Sequence, residues 1–214
     1  MNLEHYYYYF KSALGNKFCS DLLKFAKEKK EQIAITGAEK EILIKNNNKL
    51  EQKHLKKLKE TRDSNIVWMD DKWIYKQIHP FINKANQMAN WNFEWDHSES
   101  CQFTIYKDGQ HYHWHRDSWE HPYDDKNNKN TFGKIRKLSV TISLNDSSEY
   151  EGGELEFCFD SKEPDKQRNT QKCLEILPKG SIVVFPSFVW HKVNPVVKGT
   201  RYSLVVWNCG RPYK

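Results

Sequence analysis

The densest concentration of metal-ligating residue types in this chain is the segment Tyr106-Lys-Asp-Gly109-Gln-His111-Tyr112-His113-Trp114-His115-Arg116-Asp117. A His-x-Asp pair at a strand end sends both side chains to the same side, because strand side chains alternate with period two. A second imidazole stands far downstream in Trp190-His191, where another apolar strand signal ends. Two imidazoles and one carboxylate on one face of a metal leave its other positions open, the arrangement of non-haem Fe(II) oxygenases.

Residue type alone does not choose the first imidazole, since His111 and His113 fall on the same alternating face as His115. Three features favour His115. It alone stands two residues before Asp117, and Gly109 permits a tight bend just ahead of the strand. His191 is also followed, ten residues on, by Arg201 at the start of a further strand, where a cation would meet an anionic cosubstrate. A His-x-Asp pair by itself is common, and isolated residues such as His79 and His121 read as ordinary surface or core.

Several elements must position these residues. Residues 16–33 have the pattern of an amphipathic helix, with Asn16 as N-cap and Phe18, Leu22, Phe25 and Ala26 on one face. Residues 38–60 are rich in Lys, Glu and Asn, and read as surface helix and loop broken at Asn46-Asn47-Asn48. A second amphipathic helix is predicted from about Asp70 to Asn90, with a kink or boundary at Pro80. After Trp91 short β-type runs follow at 101–106, 137–144, 155–159, 181–185 and 202–207, separated by Gly- and Pro-containing turns. Residues 118–134 and 160–172 are too polar for strands. The fold class expected is α+β with a mainly β core, a sandwich or barrel braced by N-terminal helices. With no repeat and no linker, residues 1–214 form a single domain: 1–97 a helical support with edge strands, 98–210 the core.

Composition excludes several classes. A chain of 214 residues, 38% hydrophobic and with eight Trp, buries a sizeable core. No apolar run approaches the roughly 18 residues of a membrane span. Met1-Asn2-Leu3-Glu4-His5 lacks the features of a secretory signal, so the expectation is a cytoplasmic protein without a membrane partner. The net charge of +6 resides entirely in residues 17–62, where 13 Lys/Arg oppose 7 Asp/Glu. That excess is diffuse, Lys-based, with Arg62 its one Arg; it reads as a solvated face and argues against nucleic acid. The five cysteines, an odd number without C-x-x-C, read as buried thiols in a reducing compartment.

Four ordered motifs carry a resemblance. They are Tyr106-x-x-Gly109-x-x-Tyr112-x-x-His115-x-Asp117; Tyr150-Glu151-Gly152-Gly153-Glu154-Leu155; Pro178-x-Gly180-Ser181 through Ser187; and His191-x-Val193 to Gly199-Thr200-Arg201-Tyr202. Over about residues 98–210 the chain resembles the prolyl-4-hydroxylase-like Fe(II)/2-oxoglutarate dioxygenases, especially stand-alone microbial and phage members. The resemblance implies a double-stranded β-helix, or jelly roll. It implies His115, Asp117 and His191 as iron ligands, and Arg201 as partner of the 5-carboxylate of 2-oxoglutarate, where many prolyl hydroxylases carry Lys. Tyr106 would hydrogen-bond the cosubstrate, Ser143 or Thr141 would assist at its distal carboxylate, and Leu155, Val193 and Trp207 would line the pocket.

The activity implied is hydroxylation of an unactivated C–H, with 2-oxoglutarate and O2 converted to succinate and CO2 and with ascorbate as reductant. The expected substrate is a polypeptide side chain, foremost proline. Residues 118–134 would form a substrate lid bearing Trp119, Pro122, Tyr123 and Phe132. Three alternatives stand beside this reading: a silent binding module on the same fold, oxidation of a free small molecule, and oxidation of nucleic-acid bases. Base-oxidising relatives carry a second Arg six residues beyond the first, where this chain has Trp207.

Overall fold

The computed structural model describes residues 3–36, 52–118, 121–160 and 169–213. The expectations for 38–51, for 161–168 and for Trp119 lie outside the described residues. The N-terminal part runs β1 (Tyr8–Phe10), α1 (Asn16–Lys27), β2 (Gln32–Ile33), α2 (Gln52–Thr61), β3 (Arg62–Asp63), β4 (Asn65–Met69) and α3 (Lys72–Met88). Strands then dominate: β5 (His97–Ser98), β6 (Cys101–Tyr106), β7 (His111–His115), β8 (Ile135–Ser143), β9 (Tyr150–Gly152) and β10 (Leu155–Cys158). The last are β11 (Thr170–Lys172), β12 (Ile182–Pro186), β13 (Trp190–Val193), β14 (Val196–Gly199) and β15 (Arg201–Gly210).

Two antiparallel sheets make the core. The larger has the order β1-β12-β8-β15-β6-β4-β2, with β5 added on β15; the smaller has the order β11-β10-β13-β7-β3, and β9 pairs with β14 beside them. This is the mainly β, helix-braced architecture that the sequence pattern predicts.

Strand alternation gives the large sheet two chemically different faces. On one, Phe103, Ile105, Leu138, Ile142, Val184, Leu204 and Val206 pack with Leu22 and Ala26 of α1 and Ile74, Ile78, Ile82 and Ala85 of α3. Helical spacing of three and four puts those α3 residues on one stripe, and burying each Ile contributes about 1.5–3 kcal/mol. The other face presents Gln102, Thr104 and Tyr106 of β6, Ser139, Thr141 and Ser143 of β8, and Arg201 and Ser203 of β15, all buried. A buried polar face is costly unless its groups are hydrogen-bonded, within the protein or to a ligand. The candidate site lies on this face.

The structure corrects several local expectations. α1 ends at Lys27, six residues early, because Gln32 and Ile33 pair with Ile66 and Asn65 of β4. Its N-cap is Gly15, not Asn16, and makes no side-chain capping bond. α3 runs unbroken through Pro80, whose exposed position leaves the orphaned Lys76 carbonyl on the wet side. Within the polar stretch 160–172, Thr170–Lys172 does form a strand, an edge paired to β10 that needs only backbone bonds. All five cysteines are free and buried, and no described helix is long and apolar enough to cross a membrane.

Candidate active site

β7 and β13 are antiparallel neighbours, with His115 directly opposite His191 and their ring centroids 4.1 Å apart. The next pair is Tyr112 with Val193, so β7 carries one residue more than β13 between the two pairs. This bulge resets the alternation. Tyr112 and His115 come to the same face and stack, centroids 3.5 Å apart and 14° from parallel, while His113 is exposed. The expectation that His111, His113 and His115 share a face is therefore corrected, since a bulge intervenes. His191 is likewise the second residue of its strand rather than the end of one, following a turn closed by Val189 N–H donating to the Pro186 carbonyl at 2.9 Å. Gly109 turns the chain into β7 at φ +78°, and its N–H donates to the Val196 carbonyl at 2.7 Å.

Asp117 lies just beyond β7, held by its own N–H on the Ser187 carbonyl at 2.9 Å. Its Oδ1 is 3.7 Å from His115 Nε2, and its Oδ2 is 3.5 Å from His191 Nε2. One ligand atom from each of the three lies within 4.8 Å of the others, a grouping unique among the described residues. His115 Nδ1 lies 2.8 Å from the His113 carbonyl, and His191 Nδ1 lies 3.0 Å from that of Val189. A carbonyl only accepts, so both Nδ1 atoms carry the proton and both Nε2 lone pairs are free for a metal. Burial, together with the adjacent His191, holds the His115 pKa well below its usual value. Burial opposes ionisation of Asp117 but is outweighed by His191, His115, Arg136 and Ser139, so its pKa is lowered. Two imidazoles and a carboxylate in this grouping are a donor set suited to a divalent iron site.

The cavity beside these residues lies between the sheets. Tyr106, Thr141, Leu155, Val193, Arg201 and Trp207 all line it. Arg201 is opposite Tyr106 in register, only 3% exposed, with its guanidinium 5.5 Å from the Tyr106 ring centroid. Its Nη1 donates to Ser203 Oγ at 3.3 Å, and no carboxylate pairs with it among the described residues. Gly153, at φ +64°, keeps room for it: a Cβ there would approach Arg201 Cδ to 3.1 Å. Ser143 is not brought in. Its hydroxyl donates to the Asn145 carbonyl at 3.1 Å, and it forms no part of the cavity wall.

The residue that the sequence reading missed is Arg62. Assigned there to a solvated Lys-rich face, it is 5% exposed and lines the cavity. β3 pairs with β7, placing Arg62 opposite Tyr112 with its guanidinium 4.4 Å from the Tyr112 ring centroid. The available signal was its position at the foot of the apolar run Ile66-Val67-Trp68-Met69. Nearby, Glu99 accepts from Arg136 Nε at 2.7 Å and Nη2 at 2.6 Å, and from Tyr123 Oη at 2.8 Å. Arg136 also reaches the Asp117 carbonyl at 3.5 Å and lies 4.0 Å from the Trp207 ring centroid. Tyr123 thus pins its loop to the site's framework.

Comparison with known proteins agrees with this geometry. The model of the 2OG-Fe(II) oxygenase superfamily matches residues 101–209. A PKHD-type hydroxylase of Pseudomonas fluorescens is 38% identical over 71 residues, 33% of this chain and 27% of that protein. One from a Synechococcus strain is 37% identical over 102 residues, 46% of this chain and 36% of that protein. The chain thus matches about a third or less of the length of these curated relatives. A Pseudomonas putida prolyl-4-hydroxylase structure superposes with TM-score 0.63 at 19% identity, covering 98% of this chain and 95% of that one. A Trichoplax adhaerens prolyl hydroxylase, solved with a hypoxia inducible factor peptide fragment, does so with TM-score 0.63 at 17% identity, covering 96% and 84%. At these identities the structural likeness is one of fold.

Proposed function

The chain belongs to the 2OG-Fe(II) oxygenase superfamily, and from that premise we propose that it is a dioxygenase that hydroxylates an unactivated C–H of a polypeptide side chain, foremost proline. 2-Oxoglutarate and O2 are consumed, succinate and CO2 are released, and ascorbate serves as reductant. The observation that carries the reading is the convergence of His115, Asp117 and His191 to within 4.8 Å, at a cavity that also holds the buried Arg201.

In this reading His115 Nε2, His191 Nε2 and one Asp117 oxygen hold Fe(II), which supplies the O2-activating redox chemistry. Arg201 takes the distal carboxylate of 2-oxoglutarate, because two parallel N–H donors match its geometry. Tyr106 donates to the same cosubstrate, and Thr141 stands by on β8. Leu155, Val193 and Trp207 exclude water, which strengthens every charge interaction inside. Residues 98–210 act as the dioxygenase core and 1–97 as its support in one domain, with the cytoplasm as the place of action. The polypeptide assignment draws support from the Trichoplax prolyl hydroxylase neighbour solved with a peptide fragment and from the loop at 121–134, where Phe132 is 46% exposed.

The test is Fe(II)-dependent release of succinate from 2-oxoglutarate in air, followed by mass spectrometry of a proline-containing peptide library. Absence of metal-dependent succinate overturns the activity. Oxygen incorporation into a free amino acid or nucleobase, with peptides untouched, overturns the substrate alone.

A further inference from the structure

Arg62 lies outside the residues that the family model matches, yet it is buried and lines the cavity. It owes that place to Ser64, where the chain leaves β3 on the small sheet for β4 on the large one, so that Arg62 enters the sandwich from its side. Its Nε donates to Ser64 Oγ at 3.1 Å and its Nη2 to Gln102 Oε1 at 2.5 Å. A guanidinium has five N–H donors. The two on Nη1 have no partner among the described residues, and no carboxylate there pairs with Arg62. A cation buried in this way is costly unless an anion completes its site.

Arg62 and Arg201 stand at different levels of the large sheet. Arg201 leans on Ser203, which is opposite Thr104. Arg62 is held at Gln102, opposite Val205 and two residues away from Thr104 along β6. Trp68 of β4 is also opposite Gln102; it is exposed, and its ring centroid lies 6.2 Å from that of Trp207 in the cavity wall. The wall therefore runs out to solvent at the Gln102 level. Arg62 also covers Tyr112 at 4.4 Å, and Tyr112 stacks on His115. The spare guanidinium thus joins the candidate iron site to the exposed rim, away from the Tyr106 end where Arg201 begins.

We propose that Arg62 is a substrate-recognition residue whose Nη1 takes a carboxylate of the molecule that is hydroxylated, separate from the 2-oxoglutarate carboxylate on Arg201. This role rests on the function proposed above and narrows its substrate to one with an anionic group close to the oxidised carbon. Of the two carboxylates of 2-oxoglutarate, that reading gives one to Arg201 and the other to the metal, so neither calls for a second guanidinium. The substrate carboxylate has two possible sources, an Asp or Glu side chain beside the target proline and the α-carboxylate of a free proline.

The experiment measures binding by calorimetry, without air, on full-length protein loaded with Mn(II) and 2-oxoglutarate. One set of probes is terminally blocked proline peptides carrying Glu or Gln at each of the positions flanking the proline; the other is L-proline against L-prolinamide. At least one carboxylate probe should bind about tenfold more tightly than its uncharged twin, the scale of a hydrogen bond to a charged group. Arg62→Gln should remove that preference, and Arg62→Lys should keep part of it. Arg62→Met stands in should Arg62→Gln fold poorly. The affinity for 2-oxoglutarate itself should not change in these variants. No preference for any carboxylate probe, or a preference that survives Arg62→Gln, would overturn the proposal. An equal loss of 2-oxoglutarate affinity would overturn it too, by giving Arg62 to the cosubstrate. A preference lost in Arg62→Gln, in a protein that shows no Fe(II)-dependent succinate release, would instead overturn the activity and leave Arg62 as an anion site.

Discussion

His115 and His191 face each other as direct partners across β7 and β13, each with Nδ1 tied to the carbonyl two residues earlier in the chain. These tethers restrict both imidazoles with Nε2 on the side of Asp117, which lowers the ordering cost of metal capture.

The first prediction follows. Replacing His115, Asp117 or His191 by Ala should weaken Fe(II) binding by more than the roughly 10–100-fold that an outer partner is worth. His113→Ala should leave it unchanged, because the bulge turns His113 outward. Metal titration under anaerobic conditions checks both, and loss of iron in His113→Ala with retention in His115→Ala would contradict the geometry.

Arg201→Ala should leave Fe(II) bound but cost about 2–5 kcal/mol in 2-oxoglutarate binding, the scale for removing one partner of a buried charge pair. Arg201→Lys should fall between, since the charge stays and the paired donors go. Calorimetry on the metal-loaded protein reads the difference directly.

Stability should hinge on Glu99. Glu99→Ala leaves Arg136 buried and uncompensated, so urea unfolding should show a loss of about 3–5 kcal/mol. Asp21→Ala, which removes the exposed Lys17 pair, should change stability by less than about 1 kcal/mol. Equal effects from the two would show that the Glu99 network is not structural.

Acid should destabilise the metal-free protein before its carboxylates titrate. The folded chain holds His115 below its ordinary pKa, whereas the unfolded chain takes up that proton near about 6.5. Below that pH the unfolded state binds more protons, so stability falls as pH drops from about 7 toward 5. The depressed Asp117 contributes stability that persists until pH nears about 4 and is lost as pH falls through its folded pKa. Urea unfolding at several pH values should show a shallower decline for His115→Asn than for the parent; an equal decline would remove His115 as the cause.

The candidate metal group was legible because His-x-Asp spacing and a strand's period already place two groups on one side, and because Arg201 follows His191 at a strand start. The bulge in β7 was not legible. The extra residue, where His113 and Trp114 together oppose Lys192, carries no signature of its own and shows only against the partner strand. Arg62 was hidden by its neighbours, since thirteen basic residues in a polar stretch read as solvent-facing until pairing with Tyr112 draws one of them inward. α1 was overextended because nothing local announces that Gln32 and Ile33 are claimed by β4.

The order of the large sheet has a consequence for how the chain comes to be folded. β15 lies between β8 and β6 and forms long ladders with both, although it is made after either. Until residues 201–210 leave the ribosome, β6 and β8 are open edges with no middle between them, and neither Arg201 nor Trp207 exists to close the cavity. Assembly of the large sheet must therefore wait for residues 201–210 to be made, and a nascent chain stalled before β15 would present two unpaired strand borders to its surroundings, a natural target for chaperones.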